Sequence, residues 1–196
     1  MSRMFYQLTG LPIAIREIGE ADWLLVVITP DQGLIKVVAK GVRLVKSKLR
    51  PSLSLWRPVN LTVVKGREIW RLVGAEQVCY FTLALPAERL FAKLTVLLLR
   101  LVPEEAPAPA LYRELKAGLD YFAKFDASHL TQAVAGAGEL VLVWRALSAL
   151  GYAGTANGLS PLLNQGQWNR ELLVQAHRAR RETAAAINHS LSASQL

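Results

Sequence analysis

The chain has a single cysteine, Cys79, among its 196 residues. An internal disulfide is therefore impossible, and so is a structural zinc site built mainly from cysteines. Cys79 stands in the apolar, strand-like run VCYFTLAL, where a buried and inert thiol is expected. Histidine is nearly as scarce. His129, His177 and His189 have neither i,i+4 spacing nor acidic company, so they offer no metal ligands and no general base. A GxSxG nucleophile turn and a P-loop are also missing. The AGAGEL stretch at 135–140 lacks the third glycine of a dinucleotide loop and leads into a helix instead of following a strand. No enzyme emerges, and no cofactor or metal is expected. The opening MSRMFYQLTG has no apolar core and no small-residue cleavage pattern, so it does not read as a signal peptide. The longest apolar run, LTVLLLRLV at 94–102, is too short for a membrane span and is interrupted by Arg100. A cytoplasmic, reducing setting is expected.

Acidic residues are absent where basic ones gather. Residues 36–50, KVVAKGVRLVKSKLR, hold Lys36, Lys40, Arg43, Lys46, Lys48 and Arg50 without one Asp or Glu. The net charge is +8, of which +6 falls in residues 1–80. Half of the basic residues in that first part lie in this one stretch. Clustering of this kind points to a polyanionic partner, since solubility does not require it.

The first eighty residues read as about five short strands. LPIAIREI at 11–18 is partly alternating, and WLLVVIT at 23–29 is β-branched and apolar. PDQG at 30–33 is a β-turn that returns into LIKVVAK at 34–40, which makes 23–40 a hairpin. Segment 53–65 is a strand broken or bulged at Pro58, and 69–78 is the last strand. This count and spacing fit a small antiparallel Greek-key barrel of the OB type. An SH3-like barrel fits nearly as well. After Tyr80 the periodicity becomes helical. A helix starts near Pro86 and runs to Val102, PEEAPAPA at 103–110 is a linker, and 111–125 is a second helix with Leu111, Leu115, Leu119 and Phe122 on one face. Glu139–Leu150 is a third helix, 153–167 a loop, and Asn169–Leu191 a final amphipathic helix. The expected fold is α+β: an OB-fold nucleic-acid-binding domain over 1–80, then a reduced all-α domain over 81–196.

Lysine on an edge strand can serve only to block aggregation. That accounts for one or two lysines, whereas six without an acid read as a phosphate track. Arg43, Lys46, Lys48 and Arg50 fall on the loop after Lys40 and Gly41, and Lys65, Arg67 and Arg71 on the next turn and strand could extend the track. Trp23, Trp56, Trp70 and Tyr6 are the aromatic candidates for base stacking, with at least two of them expected in the core.

The run GEADWLLVVITPDQGLIKVVAKGVRLVKSKLR resembles the RecO family of bacterial recombination mediators. The resemblance rests on Gly19-Glu20-Ala21-Asp22, Leu24, Thr29-Pro30, Gly33, Ala39-Lys40-Gly41, Arg43 and Lys46-Ser47, in order and at the family's spacing. It covers about 1–80 well and continues more faintly through 111–122 and 141–152. It implies an OB fold followed by a helical bundle. It also implies binding of single- and double-stranded DNA, annealing of complementary strands, and work with RecR to help load RecA onto DNA coated by the single-strand binding protein SSB. No chemical reaction is implied, and the setting would be cytoplasmic and nucleoid-associated. Lys40, Arg43 and Lys46 match the motif and inherit its DNA-contacting role. Many family members carry a four-cysteine zinc insertion after the glycine-tyrosine pair that corresponds to Gly151-Tyr152. This chain reads AGTANGLSPLLNQG there, without a cysteine. If a pocket for the acidic, apolar SSB tail survives, Arg100, Arg113 and Arg145 are its candidate cations. Arg170, Arg178, Arg180 and Arg181 on the final helix are candidates for a second DNA surface. Two other readings stand beside this one: an OB-fold RNA-binding or ribosome-associated module, and a protein-interaction adaptor.

Overall fold

Apolar residues run almost without a break along Asp22–Thr29 (β2) and Gly33–Ala39 (β3), and the two strands pair antiparallel from Trp23↔Ala39 to Thr29↔Gly33. Their turn is closed by Thr29, whose hydroxyl accepts from the Gln32 N–H at 3.1 Å and donates to the Gly33 carbonyl at 3.2 Å. Residues 4–67, 69–125, 130–152 and 167–193 are described by the computed structural model. Phe5–Ile18 (β1), Val59–Lys65 (β4) and Trp70–Gln77 (β5) join the hairpin in a closed barrel of order β1-β2-β3-β5-β4. This is the OB-fold barrel. β1 begins well before the expected Leu11, because Phe5–Gly10 pair with β4 while Leu11–Ile18 pair with β2. One long strand thus serves two neighbours, and the register shift between Pro12 and Ala14 supplies the bend that closure needs. Pro58 ends the irregular segment before β4 instead of lying inside a strand.

Inward positions on every strand fill the barrel: Leu8, Leu25, Val27, Ile35, Val37, Leu61, Val63, Trp70 and Leu72. Burying each large side chain contributes about 1.5–3 kcal/mol before the entropy cost. Trp56 and Trp70 are 4% and 2% exposed, which removes them from the stacking candidates. Cys79 differs from expectation. It lies beyond the end of β5 in a segment without regular structure and is only half-buried.

Two compact units divide the chain. The first holds the barrel through Phe81 together with Pro103–Pro109, and the second holds Thr82–Val102 and the residues from Ala110 onward. The stretch 103–109, read from sequence as linker, is therefore a strap on the barrel.

In the second unit Leu85–Leu101 (α1), Pro109–Phe122 (α2), Gln132–Ala149 (α3), Arg170–Arg178 (α4) and Arg180–Ala193 (α5) are helical. Helix α3 is apolar over most of its length, and Val141, Trp144, Leu147, Leu172, Leu173, Ala176 and Ile187 build a core around it. It starts seven residues before the expected Glu139, because the Thr131 hydroxyl accepts from the Val134 N–H and caps it. The AGAG glycines are therefore inside the helix. Gly138 lies where a Cβ would strike the Phe122 ring, so glycine there permits close packing of α2 on α3. The final helix is two helices that meet at Ala179, the first capped by the Asn169 carboxamide, which accepts from the Leu172 N–H at 2.8 Å. His129 and residues 153–166, the expected loop, lie outside the described residues.

Candidate nucleic-acid interface

The basic stretch begins on β3 and leaves it at Lys40. From there the backbone is fastened at several points. The Gly41 N–H donates to the Asp22 carboxylate at 2.7 Å, and the Arg43 N–H to the Ala21 carbonyl at 2.9 Å. Leu44 bonds back to Gly41, Ser47 to Leu44, and Ser52 to Leu49. A single 3₁₀ turn, Arg50–Ser52, ends the segment. The loop is thus preformed, held against the β1–β2 turn at one end of the barrel.

This arrangement sorts the nine cationic candidates. Lys40, Lys46, Lys48, Arg50, Arg67 and Arg71 are exposed and have no ion pair to a described residue. Arg71 faces out from β5, whose parallel pairing sets it beside Val38 of β3. Arg50 places its guanidinium 5.9 Å from the centre of the half-buried Trp23 ring. Leu44 and Val45, both exposed, project among these cations. The other three are paired. Arg43 meets Glu17 at 3.0 Å, Lys36 meets Glu104, and Lys65 meets Glu105 at 2.8 Å. Sequence reasoning missed all three acids, since each is remote from the stretch it neutralises. Lys65 also lies 5.0 Å from the centre of the Trp70 ring, whose edge meets Tyr6. Of the four aromatics, Trp23 stands beside Arg50, which has no ion pair to a described residue.

In the helical unit the seven candidate arginines separate. Arg145 is 3% exposed, bonded to Glu114 at 3.4 Å and stacked 5.3 Å from the Trp168 ring centre. Burial pushes its pKa down and the Glu114 carboxylate opposes that, yet a guanidinium stays charged at any ordinary pH. It is committed inside the unit. Arg113 lies 3.8 Å from the same Glu114, and Arg100 is exposed on α1. A hollow of about 650 Å³ opens elsewhere, lined by Tyr121, Phe125, Val134, Ala137, Leu173 and Val174, with Arg170, His177 and Arg178 among its walls. Arg180 and Arg181 are exposed at the start of α5. The hollow thus combines an apolar floor with cations that sequence reasoning had assigned to a second DNA surface. Burial raises the Tyr121 pKa, which keeps its hydroxyl neutral. Among the described residues no three His, Cys, Asp or Glu gather as metal donors, and no helix is long and apolar enough to cross a membrane.

Comparison with known proteins bears on the same residues. A family model described as Recombination protein O N terminal matches residues 1–81. The DNA repair protein RecO of Trichodesmium erythraeum is 42% identical over 77 residues, which cover 39% of this chain and 27% of that protein. The DNA repair protein RecO of Synechococcus elongatus is 36% identical over 115 residues, 57% of this chain and 43% of that protein. In Bifidobacterium adolescentis the protein of that name is 30% identical over 124 residues, 61% of this chain and 50% of that protein. The chain therefore spans between about a quarter and a half of the length of these relatives.

Proposed function

Since the chain belongs to the RecO family through its N-terminal barrel, we propose that it is a recombination mediator that binds single- and double-stranded DNA and anneals complementary strands. The observation that carries this reading is the preformed basic loop, whose Lys46, Lys48 and Arg50 have no ion pair to a described residue, with Arg50 beside Trp23. A fixed loop loses little conformational entropy on binding, so more of its electrostatic gain reaches affinity. Lys40 and Arg71 extend the track along β3 and β5, and Arg43 gives it one partly neutralised member. Each phosphate engaged releases counterions, and Trp23 gives one base a face to stack on. No bond is made or broken. Charge neutralisation brings two strands close enough to pair, with Arg180 and Arg181 as a second surface.

The partners proposed are RecR and SSB, with RecA loading as the outcome in a cytoplasmic, nucleoid-associated setting. An acidic tail ending in apolar side chains fits the hollow between α2, α3 and α4 better than it fits the surroundings of Arg100, Arg113 and Arg145. The hollow offers Arg170 and Arg178 beside Leu173 and Val174, whereas Arg145 already serves Glu114.

Fluorescence anisotropy of labelled single strands, duplexes and matched RNA across a salt series tests the reading. The expected single-strand slope of log affinity against log salt is about −3, for four or five phosphates. Lys46→Glu/Lys48→Glu flattens it by at least about 1.4. A preference for RNA transfers the barrel to the RNA-binding class. Absence of binding at low salt sinks the reading.

A further inference from the structure

The strap Pro103–Pro109 is fixed to the barrel at several points. Glu104 forms a parallel bridge with Leu34, the Glu105 N–H donates to the Leu34 carbonyl at 3.0 Å, and the Ala108 N–H donates to the Pro30 carbonyl at 3.1 Å. Gly33, at φ +61°, lies so close to the Ala106 carbonyl that a Cβ there would overlap it. The two consecutive acids take different cations. Glu104 meets Lys36 on β3, while Glu105 meets Lys65 on β4 and accepts the Trp70 indole N–H at 2.9 Å. Glu105 adopts φ +53°, a region that a non-glycine residue occupies only when its surroundings impose it.

Exposed ion pairs are weak, and a phosphate could displace a free carboxylate from a lysine. These carboxylates are not free. Their backbone is bound to β3, and the Trp70 bond aims one of them, so the acids stay at the lysines at high effective concentration. Lys36 on β3 and Lys40 just past its end stand four residues apart, roughly 13 Å at about 3.3 Å per residue. That exceeds the screening length of about 8 Å at physiological salt, so the acids cancel Lys36 and Lys65 while leaving Lys40 and the loop beyond it largely unaffected.

We propose that Glu104 and Glu105 are specificity-determining residues for nucleic-acid binding. They close one end of the barrel's basic face and confine a strand to Lys40, the 41–50 loop and Arg71. This inference rests on the nucleic-acid reading above and sets the length and path of the bound strand. The nine cations found in sequence then form a blocked end and an open end, not one continuous track.

The experiment is a salt series and a length series of labelled oligothymidylates with Glu104→Gln/Glu105→Gln. Glutamine keeps an acceptor for the Trp70 indole, so the fold is preserved. Glu104→Gln alone leaves the Trp70 bond untouched and should give about half the effect. The expected result is a slope steeper by about 1 to 1.4, for two added phosphates, with a longer minimal site. Adding Lys36→Gln/Lys65→Gln to the double variant should return the slope to the wild-type value. Glu76→Gln/Glu88→Gln, which removes the same charge elsewhere, should leave slope and site length unchanged. A wild-type slope in Glu104→Gln/Glu105→Gln, or an equal gain in the Glu76/Glu88 control, overturns the inference while DNA binding stands. Loss of all binding in wild type and every variant instead overturns the nucleic-acid reading.

Discussion

The indole N–H of Trp70, a core residue of the barrel, donates to the carboxylate of Glu105, thirty-five residues further along the chain. The bond ties an exposed acid to the most deeply buried aromatic of the β-sheet. The Lys65 ammonium and then this indole bond hold the Glu105 pKa below the usual carboxylate value.

That shift has a pH consequence. A carboxyl group with a depressed folded pKa adds stability that is fully present above its unfolded value, about 4.3 for glutamate. The contribution falls away as pH drops through the folded value. Lys65 on β4 and Trp70 on β5 face Glu105, and the Lys36–Glu104 pair lies beside it. The Trp70 indole resonance should therefore hold steady from neutral pH down to about 4.3 and shift only below it. In Glu105→Gln the low-pH shift should vanish. A Trp70 resonance that moves between pH 5 and 7 would show that another group controls the strap.

Gly33→Ala should loosen the same strap from the other side. The residue sits at φ +61°, and its added methyl would collide with the Ala106 carbonyl. Both effects act together, so about 2 kcal/mol of barrel stability should be lost. Urea unfolding followed by tryptophan fluorescence measures this. Faster proteolysis within 103–109 should accompany it, because the strap must move to admit the methyl.

The barrel was legible because its signals are local. The PDQG turn, the β-branched runs beside it and the switch to helical spacing after Tyr80 all lie within a few residues of the structure they specify. The basic loop was legible for the same reason. The pairing of Lys36, Arg43 and Lys65 was not, because Glu104, Glu17 and Glu105 reach them through the fold. PEEAPAPA carries linker composition, and only the contact of 103–109 with β3 makes it a strap. The glycines of AGAGEL read from sequence as leading into a helix, whereas they lie inside it and Gly138 accommodates the Phe122 ring. Arg145 read from sequence as a candidate cation for a pocket that takes the SSB tail. Its acid, Glu114, lies on another helix, and periodicity along α3 cannot reveal it.

The Arg145–Glu114 pair gives the helical unit a charge that its interior has to satisfy. With Arg145 at 3% exposure, removing its acid leaves a guanidinium facing a neutral group in a largely apolar setting. Glu114→Gln keeps the shape and removes the charge, and it should cost about 2 kcal/mol, the range of a hydrogen bond between charged groups. Arg145→Met/Glu114→Leu removes both charges and should recover most of that loss, because paired buried ions contribute little beyond apolar packing of similar volume. Urea unfolding of the three proteins, followed by far-ultraviolet circular dichroism, reads both effects. The basic loop belongs to the barrel unit, so oligonucleotide anisotropy should be unchanged in all three. A single variant as stable as wild type would mean that Arg145 draws its compensation from elsewhere in the unit.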